Sequence, residues 1–406
     1  MDSLITAAGR ALAAGDPLAA LKWVALREDA PALALRGIAM AQLADFPRAR
    51  TLLRSAARRF GPKESLARAR CLLAEAEVAL ASRDLTWPAR SLEAARTTLG
   101  ALGDAANAAH AELLEIRWLL LIGRVSEAER TLRNFNPAPL PNALKAVHQL
   151  IMAGIHIRRV QVAGARKALA EADRAARAAG VPALIAEVDN ASRALGAPAA
   201  RLCADGQERL VVLQDVEALF ESGAVVVDAC RFAVGNGQQL VSLARRPVLL
   251  AIARELAEAW PGDVSRDTLV RRAFRARRAD ESYRARLRVE VGRLRRSLRG
   301  LVDLIATKDG FSFVSPRGAD VVLLKPPAEE DHAALIALLA DGERWSSSGL
   351  ALALGTSQRT VQRALDSLAA AGKAHCVGRA RSRRWSAASA AGITTSLLLP
   401  TPLPND

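Results

Sequence analysis

Residues 282–299, SYRARLRVEVGRLRRSLR, carry seven arginines in eighteen positions, and their reading decides the rest. Leu287, Val291, Leu294 and Leu298 fall at i, i+4, i+7 and i+11, so at ~100° per residue they form one narrow stripe on a helix. That stripe must pack against a core. Val289, Gly292, Arg293 and Arg296 lie opposite, flanked by Arg286, Arg288 and Arg299. A helix anchored on one side and arginine-dense on the other fits the DNA major groove, where guanidinium forks reach phosphates and guanine edges. Gly292 costs such a helix about 1 kcal/mol relative to alanine. On the outward face it lets the backbone approach bases. The bland alternative is a solvated basic face, and the surrounding chain has to decide between them.

The chain has 406 residues, half of them hydrophobic, and a net charge of +15. That length suits two to four domains. From 245 to 325 there are 19 Lys and Arg against 10 Asp and Glu, a net +9. Most of the excess therefore surrounds the arginine helix, which points to a polyanionic partner there. A membrane surface is disfavoured, because the apolar stripe is Leu and Val without Trp or Phe. Cys71, Cys203, Cys230 and Cys376 are isolated, and the five histidines form no HExxH pair. No metal and no cofactor is expected. The N-terminal twenty residues lack a basic region followed by a long apolar core, and no uncharged run reaches ~18 residues. A soluble, cytoplasmic, nucleoid-associated protein is expected.

From about 3 to 196 the sequence is Ala, Leu and Arg at helical spacing, broken by turn signals such as GDP, FGPK, RDLTWP and NPAPLPN. FPRARTLL, WPARSLEAA, VSEAERTL and VAGARKAL look alike, and Ala49, Ala89, Ala128 and Ala165 recur 40, 39 and 37 positions apart. A small residue at that spacing suits the second helix of a repeated hairpin, where close crossing needs alanine. The region resembles tetratricopeptide-like α-solenoids, with a longer spacing and without their Trp, Gly and Tyr signature. The resemblance implies a concave face for a protein or peptide partner; a layer that only dimerises or supports the next domain is the alternative. Trp23, Trp87 and Trp118 are expected in the core.

Between 204 and 243 the period changes to β-branched runs, RLVVL (209–213), AVVVDACRFAV (224–234) and QQLVSL (238–243), which predict a small antiparallel sheet. Three helices follow, the first from Pro247, the second capped by Ser265 and running RDTLVRRAF, then a basic loop and the arginine helix. LIATKDGFSFV (304–314) predicts a hairpin around Asp309 and Gly310. Over about 222–315 this order, with Val289, Val291, Arg293, Leu294 and Arg295 in register, resembles the winged-helix output domain of OmpR-type response regulators. The resemblance puts Arg288, Val289, Gly292, Arg293 and Arg296 in the major groove and Lys308 on the wing. The wing is short, and the helical array stands where that family has its receiver, so control by phosphorylation is not expected.

Residues 316–331, PRGADVVLLKPPAEED, read as a strand and linker. HAALIALLADG, SSSGLALALG and TSQRTVQRALDSLAAAGK then read as three helices, and AHCVGRARSRRWSA as a basic hairpin. This resembles winged helix-turn-helix units of the MarR and GntR types. Ser357 caps the third helix; Val361, Ala364, Leu365 and Leu368 pack inward; Arg359, Thr360, Gln362 and Arg363 face outward, able to bond base edges. Gly378, Arg379, Arg381, Arg383 and Arg384 form the second wing over phosphates. Use of this unit as a protein contact is the alternative. Trp345 and Trp385 are expected to close its core, and the apolar tail AAGITTSLLLPTPLPND to dock on the protein's own surface or on a second copy.

The expected fold is mainly α: a helical array over 1–200, a winged helix with a small antiparallel sheet over 204–325, a second winged helix-turn-helix over 328–388, and a Pro-rich tail over 389–406. The expected function is a sequence-specific bacterial transcription regulator that binds double-stranded DNA, with the array holding a protein or peptide partner or forming a homodimer. A replication initiator or architectural DNA-binding protein of a mobile element, and a protein-interaction scaffold that binds no DNA, are the alternatives. No P-loop, GxSxG or GxGxxG is present, and an enzyme is not expected.

Overall fold

A computed structural model of the chain describes residues 2–61, 63–82, 84, 89–243, 246–274, 280–315, 318–327, 332–339, 344–354, 356–370, 373–378 and 383–387. The expected tail (389–406), the basic loop after Phe274, Trp87, Arg379 and Arg381 lie outside these residues. The chain is mainly helical with small sheets and forms two compact units, residues 1–194 together with 334–406, and residues 195–333.

The first unit begins with α1 (Ser3–Ala13), α2 (Pro17–Val24), α3 (Ala30–Gln42), α4 (Phe46–Arg59), α5 (Ser65–Ala81), α6 (Ala89–Ala101), α7 (Ala105–Leu121), α8 (Val125–Arg133), α9 (Asn142–Arg159), α10 (Val162–Ala179) and α11 (Pro182–Leu195). Aspartates set many of the starts. Asp2, Asp16, Asp29, Asp45 and Asp104 each accept a backbone N–H from the first turn of the helix they precede, and α2, α3 and α4 add a proline there. Each helix from α1 to α9 packs on the next, and α1, α3, α5 and α7 also each touch the following odd helix. Ala49, Ala128 and Ala165 are fully buried in α4, α8 and α10, and Ala89 opens α6, so the repeated alanine falls on the second helix of each pair. At the α3–α4 crossing there is no room to spare: a Cβ on Gly37 would lie 2.8 Å from Leu53 Cγ. Trp23, expected in the core, is half exposed on α2.

The same unit contains α16 (Ala333–Leu339), α17 (Ser347–Ala353), α18 (Gln358–Ala370), β10 (Ala374–Val377) and β11 (Arg384–Ala387). β10 and β11 pair antiparallel, and Trp345 exchanges 2.7 Å backbone hydrogen bonds with Trp385. Both indoles are buried, as expected. One apolar core joins Leu335, Trp345, Leu365 and Trp385 to Leu73, Leu80, Leu99 and Leu114 of the array.

In the second unit a six-stranded sheet has the order β2-β1-β9-β3-β4-β5, formed by β1 (Pro198–Ala204), β2 (Gln207–Val212), β3 (Val225–Asp228), β4 (Ala233–Gly235), β5 (Leu240–Ser242) and β9 (Val321–Lys325). Three expectations need correction. Helix stops at Leu195, and residues 198–204 form β1, paired with β2 and β9. The 209–213 run ends at Val212, where Asp215 accepts the Val212 N–H at 3.0 Å and starts α12 (Leu213–Glu221). The strand expected within 316–331 is Val321–Lys325, but it lies buried in the middle of the sheet and runs parallel to β3, so the sheet is not purely antiparallel. The intervening helices supply the long crossover that a parallel pairing requires.

β3 and β9 are buried at every position, which is why VVVD and VVLL do not alternate. Val225, Val227, Leu323 and Val321 meet the core of α13 (Pro247–Glu258), α14 (Arg266–Phe274) and α15 (Glu281–Ser297). α12 packs against β1, β2 and β3. Lys325 ends β9 with its ammonium 2.9 Å from Glu208 on β2 and 2.8 Å from Glu258 on α13. β6 (Val264–Ser265), β7 (Asp303–Ala306) and β8 (Gly310–Val314) form a second antiparallel sheet in the order β6-β8-β7. β8 lies so close to β6 that a Cβ on Gly310 would sit 1.7 Å from the Val264 carbonyl oxygen.

Candidate nucleic-acid interface

α15 starts where the Asp280 carboxylate accepts the Tyr283 N–H at 2.9 Å. Leu287, Val291, Leu294 and Leu298 are all at most 2% exposed, so the apolar stripe is the buried face. The opposite face is open. Arg286, Arg288, Val289, Arg293, Arg296 and Arg299 are exposed, and no atom outside the helix would meet a Cβ added to Gly292.

The arginines divide by what they touch. Arg295 donates to the Leu304 carbonyl at 2.9 Å, pinning β7 to the helix. Arg286 lies over the Phe274 ring at 4.7 Å, and Phe274 meets Tyr283 at 5.9 Å, so Arg286 clamps α14 to the start of α15. Arg284 pairs with Asp267 at 3.1 Å. Arg295 and Arg286 hold structure, whereas the Arg284–Asp267 pair is exposed. Arg288 pairs with Glu281 on the surface, and Arg293, itself exposed, with the largely covered Glu290, each at 2.8 Å. An exposed pair such as Arg288–Glu281 contributes about 0–1 kcal/mol, so a phosphate or a base edge can displace it at small cost. Among the described residues, Arg296 makes a long 3.4 Å contact with the Gly292 carbonyl on its own helix.

Arg293 and Arg296 share an open cleft of about 600 Å³ with Arg246, Pro247, Val248, Leu249, Glu290 and Ser297. Arg246 occupies the N-cap of α13 without a side-chain cap and donates to Ser297 Oγ at 2.9 Å. The first turn of α13 thus borders a cleft flanked by three guanidinium groups, an arrangement suited to an anion. Pro247 marks the helix start in the sequence, and the dipeptide RR directly before it is the one local signal for Arg246.

Lys308 is exposed in the turn between β7 and β8. The turn is held by Arg266, whose guanidinium donates to the Thr307 and Lys308 carbonyls at 3.0 and 2.9 Å and lies 5.4 Å from the Phe311 ring centre. No sequence signal marked Arg266, because its partners lie forty residues away.

On α18, Ser357 Oγ accepts the Thr360 N–H at 3.1 Å, and Val361, Ala364, Leu365 and Leu368 are buried. Arg359, Thr360 and Arg363 are exposed, while Gln362 is half-buried and donates to Asp366 at 3.0 Å. The Thr360 hydroxyl is within 2.8 Å of Ser357 Oγ. Arg383 folds back over the Trp385 ring at 5.3 Å, with Nε 3.3 Å from Cys376 Sγ. Arg384, expected on the wing, is instead half-buried, and that burial pulls its guanidinium below the usual range while Asp84 of the array opposes the effect.

The element order helix, strand, helix, helix, strand, strand occurs in both units. α13-β6-α14-α15-β7-β8 has its first strand paired to its last, and α16-Trp345-α17-α18-β10-β11 likewise. The serine after or at each first strand caps the second helix: Ser265 accepts from Thr268 N–H and Ser346 from Gly349 N–H.

Burial pushes the Cys71 thiol up to about 12 and the Cys203 thiol to about 11, which keeps both protonated. Among the described residues, no three His, Cys, Asp or Glu side chains are grouped to hold a metal, and no helix is long and apolar enough to cross a membrane. Comparison with protein-family models, with curated proteins and with solved structures finds no match to this chain.

Proposed function

We propose that the protein is a sequence-specific DNA-binding transcription regulator. The observation that carries this reading is α15: one face sealed into the core by four aliphatic residues, the other exposing Val289, Gly292, Arg293 and Arg296. In this reading α15 enters the major groove, where Arg293 and Arg296 donate to guanine edges or phosphates and Gly292 brings the backbone close. A phosphate occupies the cleft at the start of α13, between Arg246 and Arg293. Lys308, at the hairpin tip, reaches the neighbouring backbone. The helix and strand order of this unit supports its reading as a winged helix of the OmpR type.

The α16–β11 segment is read as a second winged helix, with Arg359 and Arg363 its outward donors. The paired helices of the array are read as a tetratricopeptide-like α-solenoid, whose part in the protein is to take up a partner. No catalytic step is assigned.

Mapping genome-wide occupancy of the tagged chain, beside the same chain carrying Arg293→Ala and Arg296→Ala, tests the proposal. Scattered sites near promoters that vanish in the double variant are expected. Clustered iterated repeats would mark an initiator instead, and no enrichment would refute DNA reading altogether.

A further inference from the structure

α11 is buried at fewer positions than the two helices directly before it. It contributes two fully buried side chains, Leu184 and Val188, whereas α9 and α10 bury seven and six residues. Leu184 and Val188 enter a core with Leu113 and Ile116 of α7, Leu144 and Val147 of α9, and Ala172 and Ala176 of α10. Between them in sequence, Glu187 meets Arg117 of α7 at 2.5 Å, both side chains being largely covered. Its first residue lies near the other end of the array: a Cβ on Gly15, in the α1–α2 turn, would come 3.9 Å from Pro182 Cδ. Beyond Val188, residues 189, 190 and 192–194 are exposed. Gly180, at φ +68, breaks the chain between α10 and α11.

α11 is thus an amphipathic helix that meets the core of α7, α9 and α10 through Leu184, Val188 and the half-buried Ile185, and through one ion pair. Fourteen residues are ordered by very few contacts, and so local release costs far less than unfolding the array. We infer that the surface beneath α11 is an exchangeable helix-binding site. Its external occupant is an amphipathic helix of a partner protein, with two aliphatic residues four apart and an acidic residue directly before the second. The apolar pair fills the places of Leu184 and Val188, and the carboxylate meets Arg117. Only Gly196 and Ala197 separate α11 from β1, so a partner that takes this surface also lengthens the tether leading to β1. The inference does not depend on DNA binding.

Two measurements on the full chain test it. In hydrogen exchange of the wild type, amides of 186–195 are expected to exchange at least tenfold faster than those of 146–159. Equal protection would overturn the inference. A fluorescent peptide of residues 181–196, VPALIAEVDNASRALG, is expected to bind a Leu184→Ala/Val188→Ala chain at least tenfold more tightly than the wild type, and to lose that gain when the peptide carries Glu187→Lys. Equal binding to both chains, or to neither, would overturn it. Protection of 186–195 that rises with wild-type concentration would assign the surface to a second copy and overturn the partner assignment. Should the double variant fail to fold, the exchange experiment on the wild type decides.

Discussion

Arg293 and Arg295 are two positions apart and have opposite tasks. Arg295 is tied to the Leu304 carbonyl, whereas Arg293 is exposed and pairs within its own helix with Glu290. Arg293→Ala is therefore expected to remove ~1 to 3 kcal/mol of preference for the true site. Titrations of specific and random duplexes check this; equal weakening of both would make Arg293 a phosphate anchor. Gly292 gives the sharper test, because a Cβ there meets nothing outside its helix. Gly292→Ala should raise stability by about 1 kcal/mol yet weaken DNA binding, as urea unfolding and titration would show. Unchanged binding would mean the backbone does not approach bases. The stripe Leu287, Val291, Leu294, Leu298 was legible in the sequence because helical period alone fixes it. The division of labour among the arginines was not: Arg266, Arg286 and Arg295 find partners that only the tertiary fold brings near.

At the scale of elements, β9 was the hardest to read. VVLLK followed by two prolines has the composition of a short strand before a linker, and nothing local says that its partners are β1 and β3, about a hundred residues earlier. β1, PAARLCA, lacks the β-branched run that revealed β3. Lys325 fastens β9. Burial works against its charge, but the hydrogen bonds to Glu258 and Glu208 outweigh it and raise its pKa. Those to Lys325 and Cys203 hold the Glu208 carboxyl down at about 2, against an ordinary 4.5. A carboxylate with a depressed folded pKa stabilises the fold above its unfolded pKa, and that contribution fades as pH falls from about 4.5 to about 2. The thermal midpoint should fall through that window in wild type and less steeply in Glu208→Gln. Equal slopes would show that the triad does not hold the sheet.

Across the whole molecule, the recurrence of alanine near every forty residues foretold paired helices, since a close crossing excludes larger side chains at Ala49, Ala128 and Ala165. The joining of α16–β11 to α5–α7 in one core was not legible, because apolar helix faces do not name their partners. That joining leaves Arg359 and Arg363 exposed on α18. In the intact chain, Arg359→Ala with Arg363→Ala is expected to shorten a protection footprint and lower affinity about tenfold or more if both reading helices engage one DNA. A footprint unchanged in length and strength would make α18 a protein-contact element. The central claim is that α15 presents a polyanion-reading face, and the affinity of the full chain for duplex DNA between about 50 and 200 mM salt tests it most directly. The account predicts binding that weakens by a factor of about 10³ or more across that range and that has a shallower salt slope in Arg293→Ala/Arg296→Ala; no binding, or an affinity indifferent to salt, would contradict it.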